Sequence, residues 1–162
     1  MAEKSFEELK EQTLKEGGFY CILYFDLHAQ SAEAVKNLMV GFISKLTAEP
    51  GVIYAVGEID QPMQKENLFS TWAEVKLLAR DFSSIVKICT LYSPIGVEIL
   101  EPHQVRLSLA EAQSILLDIS QTSLGFTKMI MERVLSKEEL EQYKKKIEQR
   151  AELGKKLLQQ KK

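Results

Sequence analysis

The chain has 162 residues, of which 45% are hydrophobic and 27% are charged, and its formal net charge is −2. This size and composition are typical of one soluble globular domain with an appendage, and they exclude a largely disordered chain. No apolar run approaches the roughly 20 residues that a membrane-spanning helix needs. The acidic, polar start MAEKSFEELKEQ resembles neither a signal peptide nor a transit peptide, so we expect a cytoplasmic protein without membrane association.

The charge is spread unevenly along the chain. Residues 136–162 carry nine Lys or Arg and five Glu, for a net charge of +4, whereas residues 1–135 carry twelve bases and eighteen acids, for a net charge of −6. Nucleic-acid phosphates are bound by clustered Lys and Arg, so the acidic body argues against a nucleic-acid surface. Only the basic C-terminal segment, from Lys144 to Lys162, could supply one.

The first elements in the chain begin and end at clear signals. A capping box from Ser5 to Glu8 predicts a short helix that ends at Gly17, so residues 1–17 form an N-terminal helical segment. The aromatic and branched stretch FYCILYFDLH, residues 19–28, predicts strand one. The helix that follows has one apolar face, formed by Val35, Leu38, Met39, Phe42, Ile43 and Leu46.

The next elements complete a recognisable order. VIYAVGEID predicts strand two, the polar stretch QPMQKENLFS predicts a connection, and TWAEVKLLA predicts strand three. Asp81 caps a second helix, Pro94 ends it, and IGVEIL predicts strand four. The order β-α-β-β-α-β over residues 18–107 predicts an α+β fold, a ferredoxin-like sandwich with a four-stranded antiparallel sheet.

Two cysteines lie in these elements. Cys21 and Cys89 are far apart in sequence, each within an apolar segment, which is neither a disulfide framework nor a CxxC metal pair. A bridge between them has no support from the expected compartment. We expect both thiols to be buried and to pack as small hydrophobic side chains.

The remaining residues, 108–162, predict a long helical extension. Capping boxes begin at Ser108 and Ser136 and predict two further helices. The apolar stripe of the first helix repeats every three or four residues, at Leu109, Ala112, Leu116, Ile119, Ser123, Phe126 and Ile130. The stripe of the second helix consists of Leu140, Tyr143, Ile147, Ala151, Gly154 and Leu158. Small residues in both stripes would permit the close approach of another backbone.

The stretches LTAEPGVIYAV and RDFSSIVKICTLYSPIGVEILEP carry a resemblance to known domains. With their Gly-Val steps at Gly51 and Gly96, residues 18–107 resemble the ACT domains and the effector domains of the Lrp/AsnC type. The resemblance implies a shared βαββαβ order, homo-oligomerisation, and small ligands, often amino acids, bound between subunits. It does not imply DNA binding, because the chain has no N-terminal helix-turn-helix long enough to contact DNA.

The alternation of side chains along the strands places polar residues on the sheet face opposite the helices. With the expected strand order four-one-three-two, the ends of strands one and two meet the start of strand three on this open face. The residues expected to gather there, with Glu98 nearby, are Tyr24, Asp26, His28, Glu58, Asp60, Trp72 and Glu74. Lys76 and Arg80 are the nearest bases on the same face.

Two interpretations of this cluster remain open. It is either a solvated acidic rim, partly paired with Lys76, or a polar pocket for a cation or an amine-bearing ligand. No spacing matches a known metal motif, so neither a metal nor a cofactor is assigned. The sequence contains no glycine-rich phosphate loop, no nucleophile elbow and no HExxH motif, which disfavours an enzyme.

Large apolar and aromatic side chains on the open face suggest that something covers it. Tyr20, Ile22, Tyr24, Val56 and Leu78 would form an extended exposed patch on a monomer. We therefore expect a homo-oligomer that assembles through the open sheet face and the C-terminal helices. The function expected is a non-catalytic ligand-sensing or protein-interaction module. The alternatives are a small metal-binding protein or enzyme that uses the acidic cluster, and an RNA-associated protein that uses the basic C-terminal helix.

Overall fold

The computed structural model describes residues 5–160, without the side chains of residue 155 and residues 157–160. The expected packing of Leu158 and the charges at positions 161 and 162 lie outside the described residues. The chain divides into two compact units, Met1–Asp118 and Ile119–Lys162. Each unit is described separately below.

The structure contains five helices and five strands within the described residues, and the predicted elements lie close to their expected positions. In chain order they are α1 (Phe6–Lys15), β1 (Phe19–Ala29), α2 (Ala32–Thr47), β2 (Val52–Ile59), β3 (Met63–Lys65), β4 (Leu68–Ala79), α3 (Phe82–Tyr92), β5 (Gly96–Glu101), α4 (Leu109–Val134) and α5 (Lys137–Gln160). The α+β class is confirmed. None of the helices in residues 5–160 combines the length and apolarity needed to cross a membrane.

One open antiparallel sheet contains all the strands. Its order is β2-β4-β1-β5, and the short β3 pairs with β4. The four long strands therefore follow the spatial order expected from the sequence. The two central strands, β1 and β4, pair along their length, from Phe19 opposite Ala79 to Ala29 opposite Phe69.

The predicted strand count was wrong by one, because the QPMQKENLFS stretch is not a loop. Met63–Lys65 forms a hairpin with the start of β4, in which Met63 pairs with Ser70 and Lys65 with Leu68. The turn places Glu66 at a φ of 56°, a conformation that usually favours glycine or asparagine. Because glutamate occupies that position, the sequence did not predict a hairpin turn there.

The hydrophobic core lies between the sheet and the helices α2 and α3. Buried side chains from β1 and β4, such as Leu23 and Leu77, cluster with Met39 of α2 and Ile88 of α3. Side chains cap both helices: the Ser31 hydroxyl accepts a hydrogen bond from the Ala34 amide at 3.1 Å, and Asp81, the predicted cap, accepts one from the Ser84 amide at 2.8 Å. Satisfied first-turn amides fix where each helix begins.

Several large apolar side chains of the sheet domain are exposed. Leu38 was predicted on the apolar face of the helix that follows strand one, but it lies on the solvent side of α2. A β-bulge between Val52 and Tyr54 turns Val52 toward the core, so Ile53 is exposed.

Strand β5 carries two further exposed apolar side chains. Val97 pairs with Leu23 and Ile99 with Cys21, which places both on the core face of the sheet. They remain 44% and 37% exposed, because they lie on the edge strand and no described β5 residue belongs to the buried cluster.

Gly51 is required by both backbone conformation and packing. Its φ is +93°, and a Cβ atom there would lie 2.1 Å from the Ser84 hydroxyl oxygen. We expect Gly51→Ala to lower the free energy of unfolding by about 1–3 kcal/mol. Gly41 is the matched control: it lies in helix α2 with nothing near its Cβ position, so Gly41→Ala should raise that free energy by up to about 1 kcal/mol. Chemical denaturation measures both, and equal effects would contradict this account.

Cys21 should be inert in the folded protein. Burial, with a smaller contribution from Cys89, raises the pKa of Cys21 from its ordinary value of 9.0 to about 12. Since the folded state holds this proton more tightly, the thiol's contribution to stability is full below about pH 9 and is lost as the pH rises from there toward 12. In a Cys89→Ser variant, a thiol reagent should label Cys21 only after denaturant is added. Rapid labelling of the native variant would contradict the buried position.

Candidate functional site

One end of the open sheet face is covered by the chain itself. The Phe6 ring of α1 packs against Tyr20 and Tyr54, with ring centroids 5.7 Å and 5.2 Å apart. Beneath this end Leu78 is fully buried, although its strand position faces away from the main core. The sequence suggested a second subunit or the C-terminal helices as the cover. At this end of the face, Phe6 of α1 provides a cover, and association through the rest of the open face stays a prediction.

The other end of the open face carries the predicted polar residues. Strand register places Glu58 opposite Glu74, Glu74 opposite Tyr24, and Asp26 opposite Trp72. Neighbouring strands lie about 4.8 Å apart, so these positions adjoin one another across three strands. The common placement follows from the strand order and from the alternation that the sequence already shows.

The two remaining predicted residues lie beside this row. The Asp60 amide donates a hydrogen bond to the Trp72 carbonyl at 3.0 Å. His28 lies next to Asp26, with its Nε2 atom 3.2 Å from Asp26 Oδ2. The structure therefore gathers the predicted residues at one end of the sheet. Their role in ligand binding stays a prediction.

The acidic side chains on this face are partly neutralised. Lys76 Nζ lies 3.3 Å from Glu58 Oε1, and this hydrogen bond raises the pKa of Lys76. The Tyr24 hydroxyl donates to Glu98 Oε1 at 3.4 Å. Burial, followed by the charges of Glu98 and Glu74, raises the pKa of Tyr24 above its ordinary value of 10.0.

The hydrogen-bonding and charged groups at this end of the sheet determine which ligands it could bind. Exposed carboxylates beside Trp72 and Tyr24 can pair with an amine and contact an apolar group next to it. Across the described residues, 5–160, no group of three or more His, Cys, Asp or Glu side chains is arranged to hold a metal ion.

The second compact unit begins at Ile119 and contains the larger part of α4 and the whole of α5. The capping box at the start of α5 is confirmed: the Ser136 amide donates to Glu139 Oε2 at 3.0 Å, and the Glu139 amide donates to the Ser136 hydroxyl at 3.4 Å. The hydroxyl and amide of Ser136 lower the pKa of Glu139. This box sets the first turn of α5 directly after the end of α4.

Helix α4 leaves much of its predicted apolar stripe exposed. Within this unit Ile119, Phe126 and Ile130 are 40%, 41% and 58% exposed. Their spacing of seven and four residues keeps them on one side of the helix. These three residues define the apolar stripe of α4, which is only partly covered within the second unit.

A groove of about 570 Å³ lies between the two helices of this unit. It is lined by Ser120, Ser123, Leu124, Thr127, Tyr143, Lys146, Ile147, Arg150 and Ala151. The sequence interpretation placed Tyr143 and Ile147 on an apolar stripe but did not predict a groove. One feature of the sequence could have indicated the groove. Lys146 and Arg150 are four residues apart, on either side of Ile147, so both bases lie next to that stripe.

The fold and these surfaces define an α+β sheet domain joined to a helical hairpin. The chain belongs to the MJ0538 family, whose model matches residues 20–152. The matched region contains the whole sheet except Phe19, all of helix α4 and most of α5. The chain matched no curated protein and no solved structure. The resemblance to ACT and Lrp/AsnC-type domains is not confirmed by these comparisons and stays a prediction.

The raised pKa of Tyr24 offers a direct test of the rim geometry. Glu98→Gln removes one negative charge and leaves a neutral amide oxygen as the acceptor, so we expect the pKa of Tyr24 to fall, although not to 10, because burial and the charge of Glu74 remain. The measurement is a pH titration of the Tyr24 ring resonance by NMR. Glu33→Gln, on helix α2, is the control and should leave the value unchanged. An unchanged pKa in Glu98→Gln would contradict the Tyr24–Glu98 contact.

Proposed function

We propose that this protein is a non-catalytic interaction module that associates with copies of itself through the apolar stripe of α4. The observation that carries the proposal is the exposure of Ile119, Phe126 and Ile130 along one side of a long helix. Full burial of such a side chain contributes about 1.5–3 kcal/mol, and since these three are 40–58% exposed in the single chain, association can gain about half of that for each.

The position of the stripe favours a second copy as the partner. At 100° per residue, Ile119, Phe126 and Ile130 lie about a quarter turn around α4 from the groove residues Ser120 and Thr127, which face α5. A helix in a bundle can contact different neighbours on adjacent sides. Two identical hairpins can therefore associate with α4 against α4 in the middle, while the highly charged α5 of each copy lies on the outside.

The charge pattern of α4 agrees with antiparallel self-pairing. Its first half carries Glu111 and Asp118, and its second half carries Lys128 and Arg133 together with Glu132. An antiparallel copy brings the acidic half of one helix alongside the more basic half of the other. It also opposes the two helix dipoles.

For the sheet domain we propose a ferredoxin-like fold with β3 as an added strand. The order β2-β4-β1-β5 supports this proposal. A small-ligand-sensing role at the open-face cluster rests on the resemblance to ACT-type domains. The exposed Trp72 beside Glu74 and Asp26 favours an amine-bearing ligand there, as a second candidate function.

Self-association through α4 is testable by charge insertion. Phe126→Glu places a charge in the stripe, so we expect wild-type protein to sediment at a multiple of 18.4 kDa and the variant to sediment as a monomer. Phe126 is already partly exposed in the single chain, so the variant should keep its helical content. Circular dichroism checks this.

Two controls separate the surfaces. Phe126→Leu keeps an apolar side chain and should preserve association. Tyr24→Glu charges the open sheet face and should leave the assembly of the helices intact. A monomeric wild type, or a Phe126→Glu variant that still associates, would overturn the proposal. If Tyr24→Glu abolished association and Phe126→Glu did not, the interface would lie on the open sheet face and not on α4.

A further inference from the structure

We propose that the groove between α4 and α5 binds a small anionic molecule that also carries an apolar part. The inference goes beyond self-association, since the groove belongs to a single hairpin. Its volume of about 570 Å³ falls in the range of small-molecule sites, about 300–1,000 Å³. Its lining combines two cations, several hydroxyl groups and an apolar floor.

The cationic groups are available for a ligand. Lys146 and Arg150 lie one helical turn apart on the groove side of α5. Within residues 5–160 neither forms an ion pair, whereas the neighbouring Lys144 pairs with Glu141 at 4.0 Å. No carboxylate lines the groove. An ammonium and a guanidinium group without a counter-charge favour an anionic oxygen, which a guanidinium can bind with two N–H groups.

The hydroxyl groups lie across the groove from these bases, on α4. Thr127 donates its hydroxyl to the Ser123 carbonyl at 3.0 Å. The hydroxyls of Ser120 and Ser123 form no hydrogen bond within the described part of the chain. They can donate to the oxygen atoms of a carboxylate, sulfonate or phosphate held by Lys146 and Arg150. The anion would then be bound from both helices.

The apolar residues that line the groove determine which kind of uncharged part the ligand would have. Leu124 of α4 and Ile147 and Ala151 of α5 line the groove with apolar surface, and Tyr143 adds an aromatic ring. Small side chains at Ser120, Ser123 and Ala151 keep the helices from filling the space between them. Such a lining favours an aromatic or short aliphatic body over a simple inorganic ion.

A nucleic-acid strand fits this arrangement less well than a small molecule does. A phosphate backbone is bound by rows of exposed bases along a surface. On α5 those bases would include Lys144 and Lys145, which do not line the groove. The contrast between the two lysine pairs gives a matched experiment.

The experiment compares two dyes with and without an anionic group. 1-Anilinonaphthalene-8-sulfonate carries the charge, and N-phenyl-1-naphthylamine has the same rings without it. In fluorescence titrations, we expect Lys146→Ala with Arg150→Ala to weaken binding of the sulfonate dye by about tenfold, which corresponds to about 1.4 kcal/mol. Binding of the neutral dye should change by less than about twofold.

The double variant Lys144→Ala with Lys145→Ala is the control, because it removes the same charge from the same helix outside the groove. It should leave the affinity for the sulfonate dye within about twofold. NMR should also show the sulfonate dye shifting the Ser123 and Thr127 amide resonances of the wild type. Equal weakening by both double variants, or no change in either, would overturn the proposal, as would shifts confined to the apolar stripe of α4.

Discussion

The antiparallel pairing of β1 with β4 is the contact on which the sheet domain depends. Eleven residue pairs join these strands, and every other pair places apolar side chains on the core face. Leu23, opposite Val75, illustrates the arrangement: both are fully buried beneath α2 and α3. The other strands add to the outer sides of this pair, so its register also determines which polar residues meet on the open face.

Much of the fold follows from local signals that the sequence shows plainly. Capping serines and Asp81 fixed the helix starts, because each side chain satisfies first-turn amides within three residues. Alternation along β1 and β4 predicted the core face. The departures arise where distant contacts decide the outcome. The bulge at Val52 depends on pairing with β4, and the exposure of Val97 depends on its edge position.

The same distinction holds for the candidate sites. The polar end of the sheet could be predicted, since strand ends and strand order determine which residues gather there. The cover over Tyr20 could not, because no local pattern says that Phe6 turns toward the open face. The groove in the hairpin depends on the distance between two helices, which the small residues Ser123 and Ala151 permit but do not specify.

The hairpin of α4 and α5 differs from the sheet domain in what stabilises it. The sheet domain buries its own core, so its stability is a property of one molecule. The apolar stripe of α4 gains its burial, in the proposed assembly, only from another molecule, and mass action then links the stability of the hairpin to protein concentration. Dilution would lower the stability of the hairpin, although each dissociated copy keeps both helices, and it would leave the sheet domain unaffected. One chain would thereby contain a part whose stability is independent of concentration and a part whose stability depends on how many copies are present.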